Sequence, residues 1–191
     1  MLTCKISKGI GIIRKMSNIF PRDILLCLYY SLVHPYFVYC NIIWSCYSNN
    51  SKSDKISILQ RKAIRAVFKI KMCDSVSTVM SSLNLLTVMQ INILQIGCLM
   101  YQIVNGLLPD SLFGIFYKNS DTHSYHTRSK NKLCIPKHRT KMREQSIHVV
   151  GARIWNLIPD NIKTAITLPA FKNLLKTFIL KEKDYFNLKS V

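Results

Sequence analysis

Residues 28 to 44 read Leu-Tyr-Tyr-Ser-Leu-Val-His-Pro-Tyr-Phe-Val-Tyr-Cys-Asn-Ile-Ile-Trp, and after a polar break residues 56 to 67 read Ile-Ser-Ile-Leu-Gln-Arg-Lys-Ala-Ile-Arg-Ala-Val. The first half is apolar and aromatic, and no Lys, Arg, Asp or Glu occurs between Ile24 and Tyr47. Such a block needs burial. The second half has helical period. On a 100° wheel Ile56, Leu59, Ala63, Ala66, Val67 and Ile70 share one arc, Lys55, Arg61, Lys62, Arg65 and Lys69 fall on the opposite one, and Ile58 and Phe68 fit neither. A core element is therefore followed by a helix with one apolar and one cationic face.

Outward from this stretch the charge is unevenly distributed. The 191 residues carry 27 Lys and Arg against 9 Asp and Glu, a formal charge of +18. An excess of this size attracts polyanions, nucleic acid first and anionic membrane second, or merely keeps an apolar chain in solution. From Met72 to Tyr117 there is no Lys or Arg at all, which makes a second block that needs burial. Between Lys118 and Arg143 the character reverses. Lys118, Arg128, Lys130, Lys132, Lys137, Arg139, Lys141 and Arg143 face the single acid Asp121, with His123, Tyr125, His126 and His138 interleaved. Cations that neutralise phosphates beside rings that stack on bases are what single-stranded nucleic acid requires, although a solvated loop has the same composition.

The chain taken in order gives helices over Lys5–Met16, Arg22–Val33 (broken near His34 by Pro35), Lys55–Ile70, Ser75–Leu83, Thr87–Asn105, Ser146–Leu157 and Pro169–Lys181. Ser53 or Asp54 is the expected cap of the basic helix. Residues 36 to 44 suit a buried strand or a helix equally, since β-branched and aromatic residues favour the former. Trp44, Trp155, Tyr29 and Tyr39 have apolar neighbours and are expected in the core. The seven cysteines are scattered, mostly among apolar neighbours, and read as reduced core residues. No secretory signal is legible at the N-terminus.

Both uncharged blocks raise the alternative of a membrane-associated protein with one or two hydrophobic spans. The polar residues within them, His34, Asn41, Gln90, Asn92 and Gln95 among others, argue against it. Catalytic chemistry is largely missing. Two-metal catalysis needs neighbouring carboxylates, and the nearest approach is Glu182 and Asp184 in a Lys-rich tail. The one metal-like spacing is His123-x-x-His126 with Cys134-x-x-x-His138. With no C-x-x-C anywhere, no metal and no cofactor is assigned.

Several motifs nevertheless occur in a telling order. Lys5-Ile6-x-Lys8-x-Ile10-Gly11-Ile12-Ile13 comes first, then Leu28-Tyr29-x-Ser31-Leu32-Val33-x-Pro35, Tyr39-Cys40-x-x-x-Trp44 and Leu59-Gln60-Arg61-Lys62-Ala63-x-Arg65. Thr127-Arg128, Ile135-Pro136-x-x-Arg139-Thr140, Gly151-x-x-x-Trp155-Asn156-x-Ile158-Pro159 and Phe171-Lys172-x-x-Leu175-Lys176 follow. This series resembles the region after the polymerase palm in reverse transcriptases of non-LTR, jockey-like retrotransposons.

The resemblance implies a mainly helical chain: a thumb-like bundle over 1–117, a basic linker over 118–145 and a small helical unit over 146–191. It also implies helix over 36–44. The family's Ala-Asp-Asp motif would lie upstream of residue 1. The chain is then expected to be a fragment that makes no DNA by itself and works in the cytoplasm or nucleus beside a palm supplied upstream or in trans. Its partner would be RNA or an RNA/DNA template-primer, gripped by Lys55, Arg61, Lys62, Arg65 and Lys69 and by Arg128, Lys130, Lys132, Lys137, Arg139, Lys141 and Arg143. An apolar surface left bare without the palm would favour self-association.

Overall fold

A computed structural model describes residues 2–46, 52–109, 114–121 and 128–182. It is mainly helical. Eleven α-helices and no β-strand occur among the described residues: α1 Leu2–Met16, α2 Arg22–Leu32, α3 His34–Val38, α4 Asn41–Cys46, α5 Lys52–Phe68, α6 Ser77–Ser82, α7 Val88–Val104, α8 Lys141–Glu144, α9 Ile147–Leu157, α10 Asp160–Lys163 and α11 Leu168–Lys181. The backbone forms two compact units, Met1–Asn92 and Ile93–Val191, and the division falls inside α7. The cut at residue 118 follows a change in surface charge, whereas this division follows packing: beyond Asn92, α7 shares a core with α9 and α11.

In the first unit α1 packs on α5 and α2, and α2 packs on α5. Ile6, Ile10 and Ile13 of α1 are buried in one cluster with Leu25, Tyr29, Val33 and Phe37, and with Ile56, Ala63, Ile64 and Val67 of α5. Gly9 lies in this packing. A Cβ there would sit 3.1 Å from the carbonyl oxygen of Leu32 and from Val33 Cγ2, so the glycine that weakens α1 as a helix lets it approach the end of α2. Gly11 faces open space.

Pro35 acts as expected, since α2 stops at Leu32 and Pro35 lies in the first turn of α3. The open choice over 36–44 resolves to helix, in two short pieces separated at Tyr39 and Cys40. Cys40 takes a left-handed φ of 52° and its carbonyl accepts from the amides of Ile43 and Trp44, which starts α4. Trp44 is half-buried and donates Nε1–H to the Tyr39 carbonyl (2.9 Å). Tyr39 itself is 72 % exposed, contrary to the expectation of a core residue. The break turns it outward, and apolar neighbours in sequence are not neighbours in space; for the same reason Cys4, Cys27, Cys40 and Cys73, also expected in the core, are exposed.

In the second unit the last three turns of α7 pack against α9 and α11. Tyr101 stacks on Phe171 (4.5 Å between centroids) and donates its hydroxyl to the Ala165 carbonyl (2.7 Å). Trp155 is buried as expected, 6.1 Å from the Phe171 ring. Thr167 caps α11, accepting from the Ala170 amide. No helix among the described residues is long and apolar enough to cross a membrane.

Candidate nucleic-acid interface

Helix α5 carries the first cluster. It begins at Lys52, so Ser53 and Asp54 lie in its first turn and the cap position is outside the described residues. Its inner face is Ile56, Ala63, Ile64, Ala66 and Val67, together with the polar Gln60, which is 2 % exposed. Gln60 Nε2 donates to the Leu86 carbonyl (2.9 Å), and its Oε1 accepts from the Val88 amide (3.1 Å). Asn92 donates to the Asn41 carbonyl (3.1 Å) a turn further along α7. These buried amides lock the start of α7 to α4 and α5, and they also lock the rotation of α5 about its axis.

With that face fixed, Lys55, Arg61, Lys62 and Lys69 point to solvent. Arg65 differs. It is half-buried, and its guanidinium folds back to donate to the carbonyls of Met72 (3.4 Å) and Asp74 (3.3 Å), tying down the turn after the helix. Lys69 occupies the left-handed residue that ends α5, at φ 53°, with the Ile70 amide reaching back to the Arg65 carbonyl. Exposed Ile58 lies one turn after Lys55 and one turn before Arg61 and Lys62, adding apolar surface to that flank. The ion pairs seen among the described residues, Arg153 with Glu144 (3.6 Å) and Lys163 with Asp160 (3.0 Å), do not draw on α5.

The second cluster is on the connector, whose described part is anchored at both ends. Lys118 and Leu133 form an antiparallel bridge. Leu133 is buried, and Asn156 of α9 clasps its backbone: the Leu133 amide donates to Oδ1, and Nδ2 donates to the Leu133 carbonyl, both at 2.9 Å. Sequence alone marked Asn156 only as part of a motif; nothing in composition points to an amide that imitates a strand neighbour.

Past Leu133 the backbone runs without regular structure to Thr140, which caps α8 by accepting from the Arg143 amide. Arg128, Lys132, Lys137, Arg139, Lys141 and Arg143 are exposed, while Lys130 is half-buried. Asp121, the sole acid between Lys118 and Arg143, accepts from the Lys118 amide (3.0 Å) and the Ser120 hydroxyl (3.0 Å). Those bonds, the Lys118 amide first, hold its carboxyl below the usual range.

Of the metal-like set, His123 and His126 lie outside the described residues, as does Tyr125. The Cys134 amide donates to the Tyr117 carbonyl (2.9 Å), and His138 Nδ1 lies 3.3 Å from the Pro136 carbonyl. Among the described residues no three His, Cys, Asp or Glu side chains converge as a metal site requires. Comparisons with protein-family models, with curated proteins and with solved structures returned no match to this chain.

Proposed function

We propose that this chain is the post-palm part of a non-LTR retrotransposon reverse transcriptase, a non-catalytic piece that holds RNA or an RNA/DNA template-primer by its phosphates. The kinship rests on the ordered motifs between Lys5 and Lys176. The grip rests on one observation: Gln60 and the buried stripe of α5 fix its rotation so that Lys55, Arg61 and Lys62 share the solvent face, where the ion pairs seen among the described residues do not engage them. Phosphate neutralisation of this kind carries affinity but little base discrimination. Arg65 serves the fold of the turn that follows. The work of this piece would be done in the cytoplasm or nucleus, beside a palm supplied upstream or in trans. Exposed Ile24, Tyr30, Tyr39 and Ile43 in the first unit are the surface through which such a partner, or a second copy, would bind.

Primer extension with magnesium and a template-primer tests the non-catalytic half of the proposal, with no product expected and any templated product overturning it. Binding of the same template-primer, weakening steeply as salt rises, tests the other half.

A further inference from the structure

We propose that Tyr117 and residues 134–143 form a track for single-stranded nucleic acid, with the Tyr117 ring stacking on one base and Lys137, Arg139, Lys141 and Arg143 meeting the phosphates that follow. This deepens the nucleic-acid reading above and rests on it.

The bridge between Lys118 and Leu133 sets an antiparallel register in which Tyr117 stands directly opposite Cys134, and the Cys134 amide donates to the Tyr117 carbonyl (2.9 Å). Residues opposite one another in such a pair project to the same side, so the Tyr117 ring stands on the same side of the pair as Cys134. The backbone that carries the ring is thus fixed by the bridge. Yet the residue is 44 % exposed. A tyrosine on a fixed backbone with a face in water loses little freedom when a base stacks on it.

From Cys134 the chain leads away from this ring. Exposed Ile135, Lys137 and Arg139 alternate with half-buried Cys134, Pro136 and His138. At about 3.3 Å per residue in extended chain, Lys137 and Arg139 are spaced comparably to one nucleotide step of a stretched strand. The capped turn of α8 then presents Lys141 and Arg143. Competing acids are engaged elsewhere: Asp121 by its own turn and Glu144 by Arg153. A duplex gains little from the ring, because its base faces are already stacked inside the helix. An unpaired strand offers a free face to the ring and a single line of phosphates to the cations.

The test is fluorescence anisotropy with the full chain and labelled oligonucleotides: single-stranded RNA, single-stranded DNA, an abasic strand of equal length, and a duplex. Tyr117→Ala should weaken single-strand binding about 5- to 150-fold, the value of one stacked base, without changing the salt slope. Tyr117→Phe should bind as the parent does. The abasic strand should bind the parent and Tyr117→Ala alike, and duplex binding should be indifferent to Tyr117. RNA and DNA strands should bind comparably, since phosphates and base faces are common to both. Lys137→Gln with Arg139→Gln should flatten the salt slope by about 1.4 to 1.8.

Single-strand affinity unchanged in Tyr117→Ala, or duplex weakened equally, overturns the track. If binding in either case still falls with salt, the broader phosphate grip survives. Binding by the parent that ignores salt removes both.

Discussion

Replacing Gln60 by leucine tests whether the rotation of α5 is set by a buried amide. Leucine matches glutamine closely in volume, so cavity and overpacking contributions stay small. What disappears is a set of hydrogen bonds to the Leu86 carbonyl, the Val88 amide and the Tyr29 phenol. Val88 and Tyr29 are each 1 % exposed, so their polar groups cannot turn to water, whereas the half-buried Leu86 can. An orphaned buried donor or acceptor costs about 1–3 kcal/mol, and two of them, less about 1 kcal/mol returned by the more apolar side chain, leave a net loss of about 1–5 kcal/mol. Against a typical domain stability of about 5–15 kcal/mol that is a large fraction. Trp44 lies in the first unit and Trp155 in the second, so urea unfolding followed by tryptophan fluorescence in a Trp155→Phe background reports residue 44 alone. A Gln60→Leu variant that unfolds within about 0.5 kcal/mol of its parent, inside the range of an ordinary surface substitution, would refute the lock.

Arg65→Ala should destabilise the first unit by about 1–2 kcal/mol through loss of its bonds to the Met72 and Asp74 carbonyls, whereas Arg61→Ala should leave stability unchanged and weaken nucleic-acid binding; parallel urea melts and anisotropy titrations separate the two roles. Lys69→Gly should raise stability by about 1 kcal/mol, since glycine adopts the left-handed φ without strain, while removing one cation from the binding surface; a lower melting midpoint contradicts this. Burial pushes the Tyr29 phenol up to about 12, from an ordinary 10. The fold favours the neutral phenol, so this stabilisation is complete below pH 10, and it is lost as pH rises from there through about 12. Tyr29→Phe should therefore show a shallower loss of stability across that window than the parent, and identical alkaline profiles would contradict the assignment.

The long helices were legible because each carries a stripe at helical period: Ile6, Ile10 and Ile13 in α1, Ile56, Ala63 and Val67 in α5, Phe171 and Leu175 in α11 are buried as that period requires. Residues 36 to 44 were not, because an all-apolar run has no face to reveal its period and the turn at Cys40 uses a non-glycine residue at positive φ. The cationic arc of α5 was legible as a side of a wheel, but a wheel does not tell a lysine that ends in water from an arginine that curls back onto a turn; Arg65 was separated from Arg61 only by the position of the Met72 and Asp74 carbonyls. Gln60, Asn41 and Asn92 are polar letters that pattern reasoning sends outward, and the groups that satisfy them are distant in sequence. Tyr117 escaped notice for the same reason. The role proposed for it comes from standing opposite Cys134, a pairing made by a bridge that no local signal announces.

The most direct measurement of the phosphate grip is the salt dependence of template-primer binding for the parent chain and for a Lys55→Gln, Arg61→Gln, Lys62→Gln variant of equal stability. A parent slope of log Kobs on log salt of about −3 or steeper is expected from Lys55, Arg61 and Lys62 of α5 and from Lys69 just past its end. The variant should be flatter by about 2 to 3, at 0.7–0.9 per neutralised phosphate. A parent slope near zero, or a variant slope equal to the parent's, would contradict it.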